Sequence, residues 1–204
     1  MKNVFGVLTL GLIFTLTACN KKDKLPDPVV SPGPEPELSV IDLKDHQVKP
    51  GSPAIAIDLN KDGRKDIIFG VMLVGDPVFK LDKVQYMVSS DIYTRLAVNI
   101  NEETPVMNKS NIIPLESFKG YNWYELSSIA LMRKIIGVSV PVFWDGNWKT
   151  AEKKYLPVQV LVNEKRFNGW VELTADIVGE RLILHRAAIS KEAEKPIKAG
   201  LVQE

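Results

Sequence analysis

The chain of 204 residues has one cysteine, Cys19, and only two histidines, His46 and His185. A single thiol rules out an internal disulfide framework and any site built from several thiolates. No HExxH or GxSxG spacing surrounds either histidine, so the recognisable zinc-hydrolase and serine-hydrolase patterns are absent. Charge of one sign is lacking too: 26 Lys and Arg face 25 Asp and Glu. Such a balance gives no field to collect nucleic acid, which is not an expected partner. The longest apolar run, Val4 to Leu16, is too short for a lasting membrane span, and no internal repeat marks a solenoid or propeller.

What is present begins at the amino end. The stretch MKNVFGVLTLGLIFTLTAC couples Lys2 to that apolar run and then to small residues, the pattern of a secretory signal over residues 1–18. Its close, Leu16-Thr17-Ala18-Cys19, resembles the lipobox of bacterial lipoproteins. The resemblance implies cleavage before Cys19, diacylation of its thiol and a further acyl chain, such as palmitate, on its amine. Several acyl chains anchor a protein stably where one does not, so the implied partner is a membrane. Residues 19–40 then form a spacer kept extended by Pro26, Pro28, Pro32, Pro34 and Pro36. Asn20, by resemblance to Gram-negative lipoproteins, favours the outer membrane. The charged run from Asn20 to Lys24 is similar to surface-export tags of the Bacteroidota, and the periplasmic and cell-surface sides both remain open.

Residues 41–204 are expected to form one domain, long enough to bury a core and, with the chain 45% hydrophobic, apolar enough to do so. Alternation at Ile55, Ile57 and Leu59, at Leu96, Val98 and Ile100, and at Val158 and Val160 reads as strands. Asp-Gly and Asn-Gly turns punctuate them. The fold class is therefore mainly β, a β-sandwich or jelly-roll-like single domain. One short helix is expected over Tyr124 to Ile136, where Leu126, Ile129, Ala130 and Ile136 suit a helical face.

The stretch DLNKDGRKD, residues 58–66, has the ligand spacing of a calcium loop. Asp58, Asn60 and Asp62 occupy alternate positions, Gly63 permits a sharp turn, Arg64 offers its carbonyl, and Asp66 closes the set. Phe69 stands where an EF-hand needs a bidentate carboxylate, and the flanks read as strands. The loop instead resembles the nine-residue calcium loops of FG-GAP and VCBS-type β repeats, which implies a structural ion in a strand-to-strand turn. A bare Asx-rich hairpin turn is the other reading. Together with Asn168 to Leu173, Ala187-Ala188 and Ile197 to Gly200, the loop also makes the body similar to a group of secreted bacterial proteins. That likeness implies architecture without an activity.

Aromatics concentrate in two places, GYNWYEL and FWDGNWK. Tyr121, Trp123, Trp144 and Trp148 form a candidate ligand-binding set, since exposed rings beside Asp and Asn grip sugars and anchor protein interfaces. Trp144 and Trp148 could equally pack as a cross-strand pair in the core. The functional expectation is a lipid-anchored envelope protein that binds or assembles, with a polysaccharide or envelope protein as ligand. The alternative is a secreted glycan-directed hydrolase whose carboxylates carry no recognisable spacing.

Overall fold

Residues 35–202, which the computed structural model describes, form thirteen strands and no helix. Two antiparallel sheets carry the fold. The larger runs in the order β1 (Leu38–Val48), β12 (Arg181–Ser190), β11 (Lys165–Asp176), β10 (Lys154–Val162), β5 (Thr94–Val98) and β7 (Asn122–Glu125). The smaller runs β2 (Ile55–Ile57), β3 (Ile67–Asp76), β4 (Leu81–Ser90), β8 (Ser128–Gly137) and β9 (Phe143–Asp145). A two-stranded ribbon joins β6 (Ile112–Ile113) to β13 (Ile197–Lys198). The first strand starts at Leu38, inside the stretch read from sequence as spacer.

Period-two alternation decides which residues meet. Leu156, Val158 and Val160 of β10, Val171 and Leu173 of β11, and Phe69 and Val88 of the smaller sheet enter one buried cluster between the sheets. Burial of that apolar surface is the main driving force for the sandwich. The intervening residues Tyr155, Trp170 and Ala188 point the other way. With Met107, Ile113, Ile197 and Ala199 they form a second apolar layer, so the larger sheet is buried on both faces along its centre.

The expected helix over residues 124–136 is the end of β7, a turn and most of β8. Leu126, placed on its apolar face, is exposed in the turn with φ of 50°. The helical spacing arose from a bulge: Tyr86 pairs with Met132 but Met87 with Ala130. Leu131 is thus an extra residue, and both Leu131 and Met132 are buried. The following turn closes over this bulge. A Cβ on Gly146, at φ 101°, would stand 2.6 Å from the Leu131 carbonyl oxygen, so the Asp-Gly-Asn turn needs glycine there.

A second irregularity lies where β1, β12 and β11 meet. Pairing slips between Leu184 and Arg186 against β11, and between Asp42 and His46 against β12. The inward set switches from Leu182 and Leu184 to Ala187 and Ile189. Lys44 and Asp45 take left-handed φ to make the kink.

Candidate functional site

The turn at residues 58–66 links β2 to β3 and is held by its own side chains. Asp58 accepts the amides of Asp62 (3.2 Å) and Gly63 (2.8 Å), Asn60 accepts that of Asp62 (3.1 Å), and Asp62 accepts that of Arg64 (2.9 Å). These bonds turn the chain so that Asp58, Asn60 and Asp62 share one turn. The Arg64 guanidinium donates to Asp62 Oδ2 at 2.8 Å and holds that carboxyl down at about 2. The same guanidinium lies 4.3 Å over the Tyr93 ring.

Asp66 differs from the other three. Its side chain is buried, with Oδ2 accepting the Leu59 amide at 2.6 Å and Oδ1 3.3 Å from Thr94 Oγ1. Burial pushes its carboxyl up to about 6, with Asp58 and Asp62 adding to the rise. The donor set fits calcium in kind, being three carboxylates, an amide and a backbone carbonyl within nine residues. It is not drawn together as a cage: among the described residues, no three His, Cys, Asp or Glu side chains are grouped to hold an ion. Arg64 stands in as the local cation.

The aromatic set divides. Trp148 is fully buried between the sheets, its Nε1 donating to Thr104 Oγ1 (2.8 Å) and to the Thr104 carbonyl (3.3 Å). Trp144 packs on the same core with its ring 5.8 Å from that of Tyr86. Trp123 instead packs with Phe118 on the outer layer, and Tyr121 stacks on Phe118 at 5.8 Å. Tyr121 and Trp123 therefore do not join Trp144 and Trp148 in one platform. Thr104→Val should cost about 1–2 kcal/mol in urea unfolding, because it removes the shorter of the Trp148 bonds without opening a large cavity.

A polar network that sequence patterns did not single out lies on the outer face of the larger sheet. Glu172, almost wholly buried, accepts from Tyr155 Oη at 3.0 Å and from Arg186 Nε at 2.5 Å. The Arg186 guanidinium also lies 5.4 Å over the Trp170 ring. Next to it, His185 Nδ1 is 2.5 Å from Asp45 Oδ1 and its Nε2 is 2.8 Å from Thr174 Oγ1. Asp42, Asp45, Lys153, Glu172, His185 and Arg186 line a shallow depression of about 370 Å³. The order Asp45, His185, Thr174 is that of a hydrolytic relay, but the Thr174 hydroxyl also accepts the Lys153 amide at 3.0 Å. The three groups together pin the β1 bulge to β11. The available signal was Glu172 and Thr174 alternating with apolar residues on β11, next to His185 and Arg186 at the irregular step of β12.

A wider depression, about 630 Å³, is lined by Pro105, Met107, Asn111, Pro114, Phe118 and Tyr121 among others. It brings Tyr121 to an open groove whose lining holds no carboxylate. Comparison with family models, with curated proteins and with solved structures finds no match to this chain.

Proposed function

We propose that this protein is a lipid-anchored component of the bacterial outer membrane that works by binding another envelope protein, with a calcium ion stabilising the turn at residues 58–66. Cys19, the residue that would carry the lipid, lies outside the described residues. The observation that supports binding is the distribution of exposed apolar side chains. Val78 and Phe79 at the β3–β4 turn, Val138 and Val142 between β8 and β9, Phe143 at the start of β9, and Val178 at the β11–β12 turn are all exposed. Leu81 pairs with Gly137, and Glu180 beside the β11–β12 turn accepts from Tyr86 Oη at 2.6 Å, so these connections lie at one end of the sandwich. The chain enters at the other end, where Leu38 pairs with Ser190. Apolar side chains gathered at one end of a folded body are the usual mark of an interaction surface. Aliphatic residues outnumber rings there, which suits a protein ligand better than a polysaccharide.

Two measurements test this reading. Cys19→Ser should move the protein from the membrane to the soluble fraction, and retention in the membrane would remove the anchor. A photo-crosslinking residue at Phe79 or Val178 in the lipidated protein in cells should give adducts with protein. The same residue at Ile112, exposed on the outer ribbon, should not. Equal labelling at all three sites would overturn the binding end.

A further inference from the structure

β3 is ten residues long, but its neighbour on one side is not. β2 pairs only with Ile67 to Phe69, whereas β4 pairs along the whole strand. Among the described residues, no strand pairs with the other side of β3 from Gly70 to Asp76. The residues that lead into β2 do not extend it: Pro53 lacks an amide, and Lys49 to Ser52 form a turn closed by a 3.1 Å bond from the Ser52 amide to the Lys49 carbonyl. Near this edge, a Cβ on Gly70 would meet only Ala54, at 3.5 Å.

The edge is also unguarded on both faces. Sheets protect free edges with charge, proline or bulges, and Gly70-Val71-Met72-Leu73-Val74-Gly75 has none of these. Met72, on the outer face, is 45% exposed. Leu73 faces inward yet is 72% exposed, because the covering sheet ends one row earlier. That last covered row is Val71, Tyr86 and Met132, where Tyr86 reaches the Glu180 carbonyl. In the next row Leu73 faces Val84 and then Lys134, whose Nζ meets Glu180 Oε1 at 2.5 Å.

We propose that this free edge of β3 is where two copies of the chain join, antiparallel about Leu73, to make one continuous ten-stranded sheet. The register is self-complementary. Leu73 falls opposite Leu73 of the second copy, Met72 opposite Val74 and Val71 opposite Gly75, so apolar residues meet on both faces. The one charged residue of the segment, Asp76, falls opposite Gly70, and its carboxylate is already engaged by Lys83 at 3.2 Å. No like charges are brought together, as the antiparallel two-fold pairing requires. An edge of this length buries less than a standard interface, so the pairing is weak in dilute solution. Confinement to a membrane surface by an acyl anchor would raise the effective concentration.

The proposal gives the apolar end of the preceding section a specific partner and rests on that reading. It is tested with the full mature chain carrying Cys19→Ser, which leaves no thiol. Leu73→Cys should then form a disulfide-linked dimer under mild oxidation at least about tenfold faster than Ile112→Cys. Leu73→Lys should abolish the concentration-dependent dimer in sedimentation while leaving the circular dichroism spectrum unchanged. Equal oxidation rates for the two cysteine variants would overturn the second-copy interface. So would a monomer whose binding to phosphatidylethanolamine–phosphatidylglycerol vesicles is lost in Leu73→Lys, since that assigns the edge to lipid. If no dimer forms but Phe79 and Val178 still crosslink to other proteins in cells, the binding reading survives and only this pairing fails.

Discussion

Asp66→Asn is expected to change stability in opposite directions with and without calcium. In chelator at pH 7 the variant should equal or exceed the parent. The buried Asp66 carboxyl has its pKa raised to about 6, above the value of roughly 3.9 in an unfolded chain. Folding therefore favours its protonated form. That contribution is complete below the unfolded value and is lost as pH rises through about 6, at a cost of about 2–3 kcal/mol by neutral pH. The amide that replaces the carboxyl cannot ionise, and its oxygen can still accept the Leu59 amide that Asp66 Oδ2 accepts at 2.6 Å. The difference between the two proteins should thus grow from pH 5 to pH 7. Asp62, held at about 2 by Arg64, works in the opposite sense but only at lower pH, outside this window.

With calcium the order should invert. A cation on the loop keeps Asp66 ionised, so the ion competes with the proton and stabilises the parent more at pH 7 than at pH 5. At a hundredfold excess over the dissociation constant the gain is about 2.7 kcal/mol, or a midpoint rise of about 5–10 °C for a body of this size. Asp66→Asn should lose most of that rise. Thermal unfolding of both proteins in calcium and in chelator, at the two pH values, measures all four quantities. A parent midpoint indifferent to calcium would reduce the stretch to a self-bonded turn in which Arg64 pairs with Asp62.

How much of this could be read from the chain depends on whether the determining contacts are local. The turn at residues 58–66 was legible because its geometry is made by bonds between residues two to seven apart. Val158 and Val160 of β10 were legible as inward residues because they alternate along the strand. Strand identity failed at Tyr124 to Ile136, where Leu131 is an extra residue that exists only because Tyr86 and Met87 lie on either side of a slip. A bulge is a property of a pair of strands and has no signature in one of them. The aromatic set is divided between two layers for a related reason. Trp123 and Trp144 are edge-strand residues of different sheets, and Trp148 follows a turn that folds it into the core. The unpaired length of β3 was likewise invisible, since it depends on where β2 stops.

Glu172 shows what a buried charge costs when its partner is removed. Arg186→Met should destabilise the protein by about 3–5 kcal/mol, the cost of leaving a buried carboxylate without its cation. Glu172 is only 7% exposed, and what remains beside it is one hydrogen bond from Tyr155. Tyr155 also packs edge-on against Trp170, which limits how far the site can relax. The reverse substitution, Glu172→Leu, should cost less, because the Arg186 side chain is 37% exposed and its guanidinium can turn to water. Combining Arg186→Met with Glu172→Leu should recover much of the loss, since two apolar side chains replace a pair whose attraction barely repays its desolvation. Urea unfolding of the two single variants and the double gives the coupling directly. Strong coupling would mark Glu172 and Arg186 as a unit that locks β11 to β12 beside the bulge at His185. Additive losses would mean that the carboxylate finds water, and that the depression over this face is wetter than its hydrogen bonds imply.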